Sequence, residues 1–218
     1  GQEGSPSTAY AAGLNIDIEG DITFDMPSDN DAITITGSID LNGGNLVVSD
    51  GTVRAGSAQL VNIGDVVINS NLELSYQQFA DLLGNSASVT GTGDLKVTVA
   101  NEAEAVALFD LVAANDGKVA GTLDFTVSDG KTTKAVDVTA LVDSKLEFLA
   151  ARLEKIIEDL EASLVGGDAA ENLNTLVKIG GVVTQLRSDF DTASTSADGR
   201  LDVLEGKLAD VTGKVSDS

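Results

Sequence analysis

A stretch of this chain that repeats itself directly downstream constrains the fold more than any other feature. Phe79, Asn85, Val89, Gly91, Thr92, Asp94 and Val97 recur, at one constant offset, as Phe109, Asn115, Val119, Gly121, Thr122, Asp124 and Val127. A fixed period implies one supersecondary unit used twice, and this unit reads as strand–helix–strand. Its central phrase is VTGTGDL from Val89 and VAGTLDF from Val119. IEGDITF from Ile18 and ITGSIDL from Ile35 share the pattern, and Asp40, Asp94 and Asp124 stand one before the end in three copies. The two early copies are equally well explained by Gly-Thr-Asp phrases, which are common in acidic β-rich chains.

The helices inside the unit carry start and stop signals. Ser75 with Gln78 forms a capping box ahead of Phe79, Leu82 and Leu83, and Gly84 ends the run. Asn101 with Glu104 does the same ahead of Val106, Phe109 and Val112, with Gly117 as the stop. Upstream, Leu14, Ile16, Ile18, Ile22 and Phe24 alternate as a half-buried strand interrupted at Gly20, the position of a bulge. Further strands are expected near Ile33–Leu41, Leu46–Val53, Val66–Ile68 and Leu72–Leu74. NGGN at Asn42–Asn45 reads as a hairpin turn, as does Asp129-Gly130 between Leu123–Val127 and Val136–Val138.

From Val142 the period changes. Val142, Leu146, Leu149, Leu153, Ile156 and Leu160 follow the 4, 3, 4, 3, 4 spacing of a coiled-coil seam. Gly166-Gly167 breaks the helix, and Asp168 with Glu171 restarts one. A second, weaker seam runs on to Leu201, Leu204 and Leu208, with Gly180, Arg187 and Ser194 at seam positions and a further interruption expected at Ser194–Gly199. Seam-only stripes are narrow for a globular helix, which favours an intermolecular bundle over an intrachain hairpin. Mixed Leu and Ile leave dimer, trimer and tetramer open.

The expected class is α+β: a flexible arm at 1–13, a β-rich body with short capped helices and the repeated strand–helix unit at 14–140, and a helical coiled-coil region at 141–218 broken at Gly166-Gly167. The arm, Gly1 to Gly13, shows no charged-then-apolar signal pattern. No stretch approaches the roughly 20 apolar residues that span a bilayer, so no membrane insertion is expected.

Composition restricts the chemistry. With no Cys and no His, thiolate catalysis, His relays and zinc sites of the His/Cys type are excluded. A net charge of −22, with Arg54 the first basic residue, repels phosphate backbones, so no nucleic-acid partner is expected. No Trp and 2 Tyr leave few platforms for stacking sugars. Paired acids such as Asp17 with Glu19 or Asp29 with Asp31 are commonplace among 35 carboxylates, so no enzyme is expected. The oxygen-rich stretch Asp25, Asp29, Asn30, Asp31 is a candidate Ca²⁺ loop without EF-hand spacing, and a solvated turn explains it more simply. No other cofactor is expected.

ADGRLDVLEGKLADV from Ala197 resembles coiled-coil spacers of tailed-phage virion proteins, fibres among them. SIDLNGGNLVVSDGTV from Ser38 is similar to β segments of phage fibres and bacterial surface proteins. The resemblance implies a structural protein on the virion exterior: a homotrimeric fibre, appendage or capsid decoration that scaffolds and attaches to other virion proteins. The segment from Ser75 to Thr126 departs from standard fibre repeats. The acidic, Cys-free composition equally suits a bacterial surface-layer, filament or adhesin subunit at the cell surface, held by Ca²⁺ bridges.

Overall fold

The computed structural model describes residues 7–164, 177–181, 183–184 and 195–216. They divide into two compact units, Gly1–Leu141 and Val142–Ser218.

The first unit contains β1 (Ala9–Asp17), β2 (Ile22–Asp25), β3 (Ala32–Asp40), β4 (Leu46–Asp50), β5 (Thr52–Arg54), β6 (Gln59–Val61), β7 (Asp65–Ile68) and β8 (Asn71–Ser75). Then come α1 (Tyr76–Gly84), β9 (Ser88–Gly91), β10 (Asp94–Thr98), α2 (Glu102–Ala114), β11 (Asp124–Ser128) and β12 (Thr133–Ala135). All ladders but the one joining β11 to β12 are parallel. Ala9, Ala32, Thr52, Asn71, Asp94 and Asp124 stand in one row, so the chain returns to the same place again and again, at unequal intervals. A second sheet, β2-β4-β7-β9, advances in step with the first. These registers define a parallel β-solenoid of stacked coils. Parallel neighbours need long crossovers, and here each crossover is the rest of the coil.

A third side closes the coil. The second half of β3 pairs with β6 there, and in the next coils α1 and α2 follow, with α1 packed on β6 and on α2. The helices form where their caps allow. Ser75 Oγ accepts the Gln78 N–H while Gln78 Oε1 accepts the Ser75 N–H. The Gln78 amide then donates to the Ala58 carbonyl at 2.7 Å, pinning α1 to the turn before β6. At α2 the cap is looser: Asn101 accepts from Glu104, but the Glu104 carboxylate reaches back to Ala100.

The self-match found in the sequence is a stacking register. Asp94 faces Asp124, Leu95 faces Phe125, Val97 faces Val127, and Val89 bridges to Val119. Asn85 and Asn115 end their helices alike, each side-chain amide donating to a carbonyl one turn earlier, that of Asp81 or Leu111. The early phrases from Ile18 and Ile35 do not stack as equivalents, because the ladder pairs Ile16 with Ile39.

Several sequence expectations are corrected. NGGN is a coil corner and not a hairpin turn, since β3 and β4 lie in different sheets. A Cβ on Gly44 would sit 1.9 Å from the Gly20 carbonyl oxygen, so the corners touch there through backbone. The expected strand Leu46–Val53 breaks at Gly51, whose φ of 70° turns the chain from the second sheet into the first. The expected flexible arm is strand from Ala9 onward, its alternation hidden by small residues. Gly20 likewise marks a corner between β1 and β2 instead of a bulge within one strand.

At the far end, β12 turns back antiparallel on β11 through Asp129-Gly130, as expected. The Asp129 carboxylate accepts the Lys131 and Thr132 N–H groups. Val136 is buried, and its N–H donates to the Phe125 carbonyl. That hairpin closes the stack.

The second unit, which begins at Val142 within α3 (Leu141–Leu164), also holds α4 (Thr195–Ser216). Leu146, Leu149, Leu153 and Leu160 are buried within a single copy of the chain, together with Phe148, Ala150 and Ile157 off the expected seam. Ile156 is half-buried and Val142 is exposed. In α4, Leu204 and Val211 are buried and Leu208 is half-buried. Of the side chains assigned to an intermolecular seam, Leu146, Leu149, Leu153, Leu160 and Leu204 are thus already covered by their own chain, and the buried stripe of α3 is wider than a seam. The helix starts at Thr195, so no interruption falls at 195–199. Leu201 lies in α4, but its side chain, Gly166-Gly167 and the Asp168–Glu171 cap lie outside what is described.

Leu41 is 0% exposed and Ile18, its counterpart one coil earlier, is 42% exposed. Leu41→Ala should therefore cost about 2–5 kcal/mol and Ile18→Ala no more than about 1 kcal/mol, read from urea denaturation midpoints.

Candidate functional site

The core of the solenoid consists of columns, one residue per coil. Ile18 and Leu41 occupy equivalent positions in successive coils, as do Ile22, Leu46 and Val66, and Phe24, Val48 and Ile68. From the second coil onward these side chains are at most 1% exposed. In the first coil, Ile18 and Tyr10 are exposed and Leu14, Ile16 and Ile22 are half-buried. Phe24 stays buried in the first coil, whereas the columns of Tyr10, Leu14, Ile16, Ile18 and Ile22 lose cover there, and that end is the candidate site.

Polar columns hold its perimeter. The Asp21 carboxylate accepts the Asn45 N–H at 2.7 Å, the Asn45 side chain accepts the Asp65 N–H at 3.0 Å, and the Asp65 carboxylate accepts the Ser88 N–H at 3.1 Å. A second column runs along the same corner, a few residues earlier in each coil. Asn42 and Asn62, with φ of 47° and 48°, donate their side-chain amides to Asp17 and Asp40. Asn tolerates that left-handed conformation better than most side chains. These ladders escaped the sequence reading because successive coils reach that corner after unequal lengths of chain, which obscures any fixed period.

The residues considered for Ca²⁺ are held in two different ways. Asp31 is 4% exposed and its carboxylate accepts the Thr8 N–H at 2.8 Å, which anchors the start of β1. Asp29 hydrogen-bonds Asp50, and Asp25 contributes a more distant negative charge. Among the described residues no group of three or more His, Cys, Asp or Glu side chains is arranged to hold a metal ion. From the acid pairs considered for catalysis, Asp17 accepts from the Asn42 side chain and Asp31 from the Thr8 N–H.

One more feature lies on the outer face of the large sheet. A shallow groove of about 300 Å³ is lined by Asn71, Glu73, Asp94, Lys96, Asp124 and Thr126. Asp94 and Asp124 are ladder neighbours, while Glu73 pairs with Arg54 at 3.1 Å. No aromatic side chain lines it.

No known protein family, no characterised protein and no solved structure matches this chain. The functional reading therefore rests on the solenoid itself.

Two outcomes follow. The hydrogen bond that the protonated Asp50 carboxyl donates to the Asp29 carboxylate, together with the negative charge of Asp29, holds Asp50 above its ordinary 3.8. A carboxyl raised in the folded chain binds its proton more tightly there, so stability is lost as pH rises from 3.8 through the raised value and is flat beyond it. Asp50→Asn should raise the thermal midpoint at neutral pH, with the gain vanishing below about pH 3.8. Asn45→Ala removes the acceptor for the Asp65 amide; it should cost about 1 kcal/mol and speed hydrogen exchange at that amide.

Proposed function

We propose that the protein is a structural, non-catalytic component of an assembly, attached through the open first coil of its solenoid. The observation behind this reading is the uncovered set of apolar columns beside a strand edge that pairs with nothing among the described residues. A partner that adds a strand there continues both the hydrogen-bond ladder and the core. The helical unit then serves as a spacer or second attachment point, since Leu146, Leu149, Leu153, Leu160 and Leu204 are covered without a sister chain. The resemblance of Ala197–Val211 and Ser38–Val53 to virion segments favours a fibre, appendage or capsid decoration on a particle exterior. The alternative host is a bacterial surface layer, filament or adhesin, which the same acidic composition suits. The homotrimer implied by the resemblance now depends on surfaces other than the Leu146–Leu160 stripe.

Density-gradient fractionation of the source material, with immunodetection of this chain, tests the reading. The chain should sediment with particles or with the cell envelope. Envelope-bound chain released by a chelator would favour the surface-layer alternative, and recovery solely as free chain would remove the assembly role.

A further inference from the structure

We infer that the open first coil is a docking edge for an extended, Lys- or Arg-bearing strand of a different protein, laid alongside β1. The inference rests on the assembly reading and adds the chemistry of the partner.

The backbone supplies the first half of the argument. Thr8 accepts from Ala32 through its carbonyl, and Ile18 donates to the Asp40 carbonyl. Even-numbered residues of β1 therefore turn their peptide groups toward β3. The odd-numbered ones, Ala9, Ala11, Gly13, Asn15 and Asp17, turn theirs to the other side, where no strand pairs among the described residues. Exposed sheet edges are usually blunted by Lys, Pro, bulges or brevity. β12 fits that description, being short and carrying Lys134. β1 is 9 residues long, AYAAGLNID, continuous in register and free of Lys and Pro.

Side chains supply the second half. The half-covered Leu14, Ile16 and Ile22 and the exposed Ile18 form the apolar centre of the end. Around it stand the exposed carboxylates Asp17, Glu19, Asp21, Asp25 and Asp29, and no Lys or Arg precedes Arg54. Asp17 and Asp21 each commit an oxygen to a corner ladder and keep the other. Such a rim attracts cationic side chains and repels anionic ones.

The same rim decides against a second copy. Two first coils placed face to face would oppose one ring of carboxylates with another, and stacking first coil on last coil is blocked by the β11–β12 hairpin. The two occupants also respond oppositely to salt. Screening weakens attraction to a basic strand and relieves repulsion between two acidic ends.

The test uses the full chain and two fluorescent peptides, KVTIKVTIK and EVTIEVTIE, which share one apolar face. At low ionic strength the basic peptide should bind at least tenfold more tightly than the acidic one, by anisotropy, and weaken at least tenfold in molar salt. On binding, the Ala11, Gly13 and Asn15 amides should become protected from hydrogen exchange. The double variant Ala11→Pro, Asn15→Pro removes two outward N–H groups while sparing those bonded to β3. It should lose at least tenfold in affinity with an unchanged denaturation midpoint; if the midpoint drops, Ala11→Pro alone serves. Equal binding of the two peptides, no binding of either, or indifference to the proline variants would overturn the inference. Self-association through β1 that strengthens with salt would also overturn it, by naming a second copy as occupant, and would leave the assembly role standing. A chain that binds the basic peptide yet never sediments with particles or envelopes would instead retire the assembly role.

Discussion

Everything in the solenoid depends on one coil acting as the solvent shield of the next. A single coil of about twenty residues cannot bury both faces of its apolar side chains. Stacked at parallel-strand spacing, each side chain finds its counterpart directly above and below, and the backbone ladder is satisfied by the same movement. Leu41, Val48, Val66 and Ile68 are fully covered for this reason, and Ile18 is not. Stability is consequently uneven along the stack: high in the middle, lower at an end with one neighbour.

The corners solve a different problem. A chain that changes direction between the sides of each coil leaves N–H groups with no ladder partner, and buried or half-buried donors without acceptors are costly. Asp21, Asn45 and Asp65 answer this by accepting the corner N–H of the next coil. Short acidic and amide side chains are needed because their oxygens reach a neighbouring backbone while Cβ stays at the corner. Much of the acidity of the first coil is thus structural in origin. The remaining oxygens face outward and give the open end its negative rim.

The helical unit shows how a periodic stripe can mislead. A heptad pattern specifies which side chains want cover, and it does not specify whose surface covers them. Phe148, Ala150 and Ile157 are buried beside the expected seam, so the apolar face of α3 is wider than a two-position seam.

Local signals were legible from residues alone. The Ser75–Gln78 capping box, the Asn101 cap, the Asp129-Gly130 hairpin and the match of Val89–Val97 to Val119–Val127 all depend on short-range chemistry or on direct repetition. Most strand positions were legible too, because alternation is local. Which strands pair was not. Parallel neighbours belong to successive coils, far apart along the chain, and unequal coil lengths hide the period that would have announced a solenoid. So Asn42–Asn45 passed for a hairpin, Gly51 vanished inside a strand, and Ala9–Gly13 read as an arm, for its small side chains are strand-forming only against β3. The open end belongs wholly to the folded molecule: exposure of Ile18 is a statement about a missing neighbour, and no residue carries that information by its own identity.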